Sequence, residues 1–179
     1  MLIVIHFFSI SMYNISITIC GTFKIYHNKE VLIMAYTADN IAKYVVDRCV
    51  REGKAISNLQ LQKTLYYIQL NFIRLFDKVA FFDDFEAWDY GHVVPSVYEE
   101  YRQFGGAPIC MMFDGIFTIF SNREEQQLVN DVTDVCVDMD PWDLVDSSHI
   151  KDGPWDIAYS KNKNAIIELK DMFEYAKRN

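Results

Sequence analysis

From residue 35 onward the apolar positions fall at helical spacing along most of the chain. Thr37 is a good N-cap ahead of Ala38, Ile41, Ala42, Val45 and Cys49, and Gly53 closes that helix. Ser57 caps a second helix. There Leu61, Leu65, Ile68, Phe72 and Phe76 define one face, and Leu59, Tyr66, Leu70 and Ile73 a second. Only Gln60, Lys63, Asn71, Arg74 and Lys78 remain as a narrow polar stripe. A helix that is apolar around most of its circumference sits inside a fold, so this one is expected at the centre.

After a turn region, Asp77 to Asp84, the period changes. Phe85 to Tyr90 alternates apolar and polar, which predicts a short half-buried strand ended by Gly91, with Trp88 and Tyr90 on one face and Trp88 in the core. Pro95 suits the first position of a short helix, Ser96 to Phe104, which Gly105, Gly106 and Pro108 terminate. Residues 109–120 read as a hairpin about Asp114-Gly115. Ser121 and Glu124 form a capping box before a helix whose apolar face is Leu128, Val132, Val135 and Met139. Asp140-Pro141 opens another short helix, and Gly153-Pro154 a further turn. Asn164 starts the last helix, with Ile166, Leu169, Phe173 and Ala176 as its stripe and Lys177 and Arg178 at the end that suits the dipole. The pattern predicts a mainly α protein: a single compact helical domain with a small antiparallel β element.

Residues 1–33 differ in character. The first 23 contain no Lys, Arg, Asp or Glu. The stretch is long enough to span a membrane, but His6, Asn14 and several Ser and Thr dilute it, and neither a basic n-region nor a cleavage site frames it. Packing as an edge strand is a second reading. The third is that synthesis begins at Met34. Lys29-Glu30-Val31 can be encoded by a purine-rich run resembling a ribosome-binding site, and a capped helix begins immediately after Met34. The third reading is preferred, which makes 1–33 a leader upstream of the true start or a disordered one, and 34–179 the domain.

Composition then narrows the function. Hydrophobic residues are 51% and charged residues 23%, with 15% aromatics, enough to build a sizeable core. The net charge is −8 and no basic patch is visible, which disfavours nucleic acid as a partner. The four cysteines, Cys20, Cys49, Cys110 and Cys136, contain no CxxC pair, and Cys49 and Cys136 sit in helical apolar stripes as small hydrophobes. A cytoplasmic protein with reduced thiols and no membrane partner follows.

Candidate chemistry is sparse. Asp83, Asp84, Glu86 and Asp89 crowd one turn, where paired carboxylates can work as acid and base or hold a cation. On a strand Glu86 and Asp89 point to opposite faces, so a solvated acidic turn is the favoured reading. His92 and His149 are the histidines beyond residue 34. No nucleophile elbow or cysteine motif places either beside Ser96, Ser148 or Cys110. No glycine loop cradles phosphate. The residues themselves therefore designate no catalytic, cofactor-binding or metal-binding group, and binding is the default function. The alternative is a phage-derived hydrolase or metal-dependent enzyme using His92 and the acidic turn.

Three stretches resemble a known family. They are Ser57-Asn58-Leu59-Gln60-Leu61-Gln62-Lys63-Thr64-Leu65-Tyr66-Tyr67-Ile68-Gln69, then Phe85-Glu86-Ala87-Trp88-Asp89-Tyr90-Gly91-His92-Val93-Val94-Pro95-Ser96-Val97-Tyr98, then Leu144-Val145-Asp146-Ser147-Ser148-His149 with Gly153-Pro154-Trp155. Together they resemble the Panacea domain, also called the SocA-like antitoxin family, which includes phage-associated GepA-like proteins. The motif residues are Leu61, Gln62, Lys63, Tyr66, Glu86, Ala87, Trp88, Tyr90, Gly91, Pro95, Tyr98, His149, Pro154 and Trp155. The resemblance implies a mainly helical domain over 34–179 and an antitoxin that neutralises a cognate toxin by direct protein–protein binding, in some members as an adaptor to a protease. It implies no enzyme activity and no cofactor. His92 and Ser148 depart mildly from the family pattern, where Pro and Thr are usual.

Overall fold

The computed structural model describes residues 35–116 and 119–178. The leader and the start at Met34 lie outside the described residues. Seven helices and three short strands follow in the order α1 (Ala38–Arg51), α2 (Asn58–Phe76), β1 (Phe85–Trp88), β2 (Gly91–Val93), α3 (Pro95–Tyr101), α4 (Arg123–Asp138), α5 (Pro141–Ser148), α6 (Pro154–Lys161), β3 (Ile166–Ile167) and α7 (Leu169–Arg178). The mainly helical expectation holds. Among these residues no helix is long and apolar enough to cross a membrane.

The caps explain where the first helices begin. Thr37 is extended and its hydroxyl accepts from the Asn40 N–H at 3.1 Å. Ser57 accepts from the Gln60 N–H, and the Gln60 side chain reaches back to the Ser57 N–H, so two otherwise orphaned donors at the start of α2 are satisfied reciprocally. α2 is the central helix, as its two apolar faces predict: it packs against α1, α3, α4, α5, α7 and β2. Leu61, Leu65, Ile68 and Phe72 are wholly buried. The chain leaving α2 is pinned by Gln69, whose carbonyl accepts from Ala80 and Phe81 and whose amide donates to Phe81 O. The sheet has the order β2-β1-β3, all antiparallel, with Ala87 opposite His92 and Trp88 opposite Gly91.

Several elements differ from the sequence pattern. The polar stripe of α2 is solvated only toward its C-terminal end, where Arg74 is exposed and Asn71 half-buried: Lys63 is fully buried and Gln60 nearly so, and Lys78 lies beyond the helix. Gly91 does not end the β element but begins its second strand. On β1 the buried face carries Phe85 and Ala87, so Trp88 is half-buried rather than core. Among the described residues of 109–120 there is no strand. A turn exists at Asp114-Gly115, but Ile109 N–H is taken by Ile56 O and Phe113 N–H by the buried Asp47 carboxylate, so the segment is tied to other parts of the chain. Asn122, not Ser121, caps α4, and the buried face of that helix is Glu125, Val129, Thr133 and Cys136, leaving Val135 exposed. Gly153-Pro154 opens the helix α6 rather than a mere turn. Asn164 and Ile166 precede the last helix, with Ile166 on β3, because the Asn164 N–H donates to Ala87 O and the Ala87 N–H donates to Ala165 O, drawing this stretch onto β1.

Candidate functional site

The motif residues separate in sequence by some ninety positions yet meet around the β1–β2 hairpin. Pro95 is the first residue of α3 and Pro154 of α6, both set by the proline's fixed φ. Leu61 is core. Gln62, almost completely buried, accepts from the Val94 N–H at 2.9 Å and donates to Asn58, which in turn donates to Tyr98 O. This relay joins α2 to α3 and to its N-cap, just after β2. Ala87 is buried in β1 and Glu86 accepts from the Trp88 indole at 2.8 Å. The Trp88 carbonyl accepts from the Trp155 indole at 2.9 Å, and Trp155 stacks on His149 at 3.8 Å.

Above this framework opens a cleft of about 600 Å³. Its walls carry Trp88, Tyr90, Tyr98 and Trp142, with Gln62, Arg102 and an Asp89–Lys163 ion pair of 2.8 Å also lining it. Trp88 meets Tyr98 edge-on at 4.9 Å, and Tyr90 meets Trp142 edge-on at 5.4 Å. Tyr90 is 59% exposed and Trp142 56%, so both stand outside the core. α5 also contributes Leu144 and Ser147 to a second, apolar groove of about 530 Å³, shared with Leu75, Leu128, Val132 and Val135.

Beneath the cleft lies a buried basic cluster. Lys63 Nζ donates to His92 O at 3.3 Å. Tyr66 stacks flat on His92 at 3.4 Å. Gly91 has φ +101°, and a Cβ there would stand 2.3 Å from Lys63 Nζ and 3.0 Å from Ser148 Oγ. The positive φ strains any other residue there, and a side chain would also displace the Lys63 amine. Burial alone brings the Lys63 amine down to about 7. Burial, then the neighbouring Lys63 and His149, hold His92 well below the usual imidazole range. Burial and Lys63 also lower His149, against the opposing pull of Asp146. Neither ring nitrogen of His92 has a partner, nor has His149 Nε2.

The acidic turn disperses. Asp83 accepts from the Ala38 N–H at the start of α1, Glu86 from the Trp88 indole, and Asp89 from Tyr159 and Lys163. The structure does not bring His92 to these carboxylates, since His92 faces Tyr66 and Lys63. Cys49 and Cys136 are buried free thiols, whereas Cys110 is exposed.

Sequence reasoning did not single out Trp142 or Arg102. A signal existed for Trp142: on α5 the buried residues are Leu144, Val145 and Ser148, a spacing that turns Trp142 outward. Nothing in the sequence marked Lys63 as buried, because it occupies the one polar stripe of an otherwise apolar helix.

The family described as Antitoxin SocA-like, Panacea domain, matches residues 61–156. Antitoxin SocA of Caulobacter vibrioides (strain NA1000 / CB15N) is 29% identical over 154 residues, covering 76% of this chain and 82% of that relative. No solved structure matches the chain significantly. The family match spans more than half of the chain and takes in β1, β2, α3, α4 and α5 whole, with the hairpin, Tyr98 and Trp142 that wall the cleft. This chain therefore belongs to the Antitoxin SocA-like, Panacea domain family.

Proposed function

We propose that this protein is the antitoxin of a toxin–antitoxin system, acting over a domain of residues 34–179 in the cytoplasm. It neutralises its cognate toxin by direct protein–protein binding and not by catalysis. The observation that carries this reading is the family match through the elements that build the aromatic cleft. Four aromatic side chains around one concavity, two of them more than half exposed, are the groups that anchor protein interfaces. The cleft is the toxin contact, with Tyr90 and Trp142 as anchors.

The apolar groove between α2, α4 and α5 supports the adaptor form of the same reading. A protein that hands its toxin to a protease needs two separate faces, and α5 presents Trp142 to one concavity and Leu144 to the other. The test is genetic and direct. The product of the neighbouring open reading frame is expressed alone and then with this chain. Growth arrest relieved by co-expression, with the two proteins co-purifying, is the expected result. Arrest that persists, or relief without a complex, overturns binding as the mechanism.

A further inference from the structure

Lys63, Gly91 and the C-terminal end of α5 meet at one point. Lys63 Nζ abuts Gly91 so closely that a single added carbon would stand 2.3 Å away, and Ser148 Oγ closes the same space from α5 at 3.0 Å. The hairpin that carries Gly91 also supplies Trp88 and Tyr90 to one wall of the cleft, and α5 supplies Trp142 to the other. The junction between this hairpin and α5 is thus packed around a buried amine.

The surroundings of that amine contain almost no counter-charge. From α2 the cluster receives Lys63 and Tyr66, from β2 the His92 ring and carbonyl, and from α5 Ser148, followed by His149. α6 adds the Trp155 ring against His149, and the Tyr175 hydroxyl of α7 acts on Tyr66. The carboxylate of Asp146 acts on His149, is itself exposed, and does not contribute at Lys63 or His92. Lys63 has three donors and one protein acceptor, and the His92 and His149 nitrogens named above have none.

We infer that Lys63, His92 and His149 form a proton-operated latch, closed when all three are neutral, whose protonation drives the Tyr90–Gly91 turn and the end of α5 apart and opens the aromatic cleft. Charge placed on Lys63 or His92 finds no acid, and only His149 feels the exposed Asp146, so the new charge must be met by water, which enters if the two elements separate. The lowered affinities of Lys63, His92 and His149 for protons agree with this and set the operating range at and below neutrality.

Trp155 stacks on His149, Trp88 pairs with Gly91 and Trp142 packs on Tyr90, so the intact chain reports on itself. The full-length protein, with no partner, is titrated from about pH 8.5 to about pH 5.5, following tryptophan emission, far-UV circular dichroism and the Lys63 Cε resonance. The expected result is a red shift of emission at constant ellipticity, with a midpoint near 7 shared by the Lys63 resonance. In Lys63→Met the step is lost or moves to lower pH. A flat emission profile overturns the latch, as does a step unchanged in Lys63→Met or one accompanied by loss of ellipticity. If Lys63→Met does not fold, the wild-type resonance decides: a Lys63 midpoint near the ordinary lysine value refutes the proposal.

Discussion

Replacing Lys63 with methionine is expected to stabilise this protein at neutral pH, although the residue lies at the centre of the fold. Lys63 is wholly buried, and its amine falls from 10.5 to about 7 through desolvation alone. At 1.36 kcal/mol per unit, that fall corresponds to roughly 5 kcal/mol of differential free energy. The sign follows from which state holds more protons. Between about pH 7 and pH 10.5 the unfolded chain carries a charged Lys63 and the folded chain a neutral one, so native stability rises with pH across that window and is flat below it. At pH 7 nearly the full cost is present. Methionine has similar length, fills the same channel and needs no proton removed. It forfeits one long hydrogen bond of 3.3 Å to His92 O, worth about 1 kcal/mol. The net gain is therefore about 2–4 kcal/mol at pH 7, shrinking by roughly 1.4 kcal/mol for each pH unit above it. Urea denaturation of wild type and variant at pH 7 and pH 9 measures both quantities. A variant destabilised at both pH values by the same amount would show that Lys63 is folded in its charged form, and would refute the desolvation argument.

Other consequences follow from named contacts. Gly91→Ala is expected to cost about 2–4 kcal/mol, because φ +101° strains any side chain and the new Cβ meets Lys63 Nζ; a thermal melt that leaves Tm unchanged contradicts this packing. Asp47→Ala removes a fully buried carboxylate that accepts from Arg51 at 2.6 Å and from Phe113 N at 2.7 Å, and should cost about 1–3 kcal/mol in urea denaturation. The Arg51 guanidinium holds the Asp47 carboxyl below its usual range, so its contribution is present above about pH 4 and lost as pH falls through the lower folded value. The difference between wild type and Asp47→Ala should accordingly shrink in acid, and a constant difference down to pH 2 would contradict the pairing. Trp88→Ala should cost less than the ~3–5 kcal/mol of a core aromatic, since Trp88 is half-buried at the cleft wall; a loss as large as that would return it to the core.

The sequence pattern was most legible where caps and apolar spacing acted together. Thr37, Ser57, Pro95 and Pro141 mark helix starts because each satisfies or omits a backbone donor locally, without help from the rest of the chain. It failed where distant partners decided the outcome. The 109–120 segment has hairpin chemistry at Asp114-Gly115, but Asp47 and Ile56 capture its backbone donors. Asn164 to Ile167 reads as the start of a helix until β1 recruits it. Lys63 was misread for a related reason. A lone polar stripe on an apolar helix signals solvent in most proteins, as it does here at Arg74, and only the glycine backbone across from Lys63 reveals that this end is enclosed. The exposed aromatics of the cleft were half legible: the motif supplied Trp88, Tyr90 and Tyr98, while the spacing on α5 turns Trp142 outward without saying which concavity it meets.

The central claim, that the aromatic cleft is where the partner toxin binds, is tested most directly by measuring the affinity of Tyr90→Ala and Trp142→Ala for the purified product of the neighbouring gene. Both side chains are more than half exposed, so both variants should melt within a few degrees of wild type. Each should nonetheless bind at least tenfold more weakly, the loss expected when an anchor worth ~1.4 kcal/mol or more is removed, and the double variant should fail to neutralise in cells. Wild-type affinity in both folded variants would contradict the account and remove the cleft from the interface.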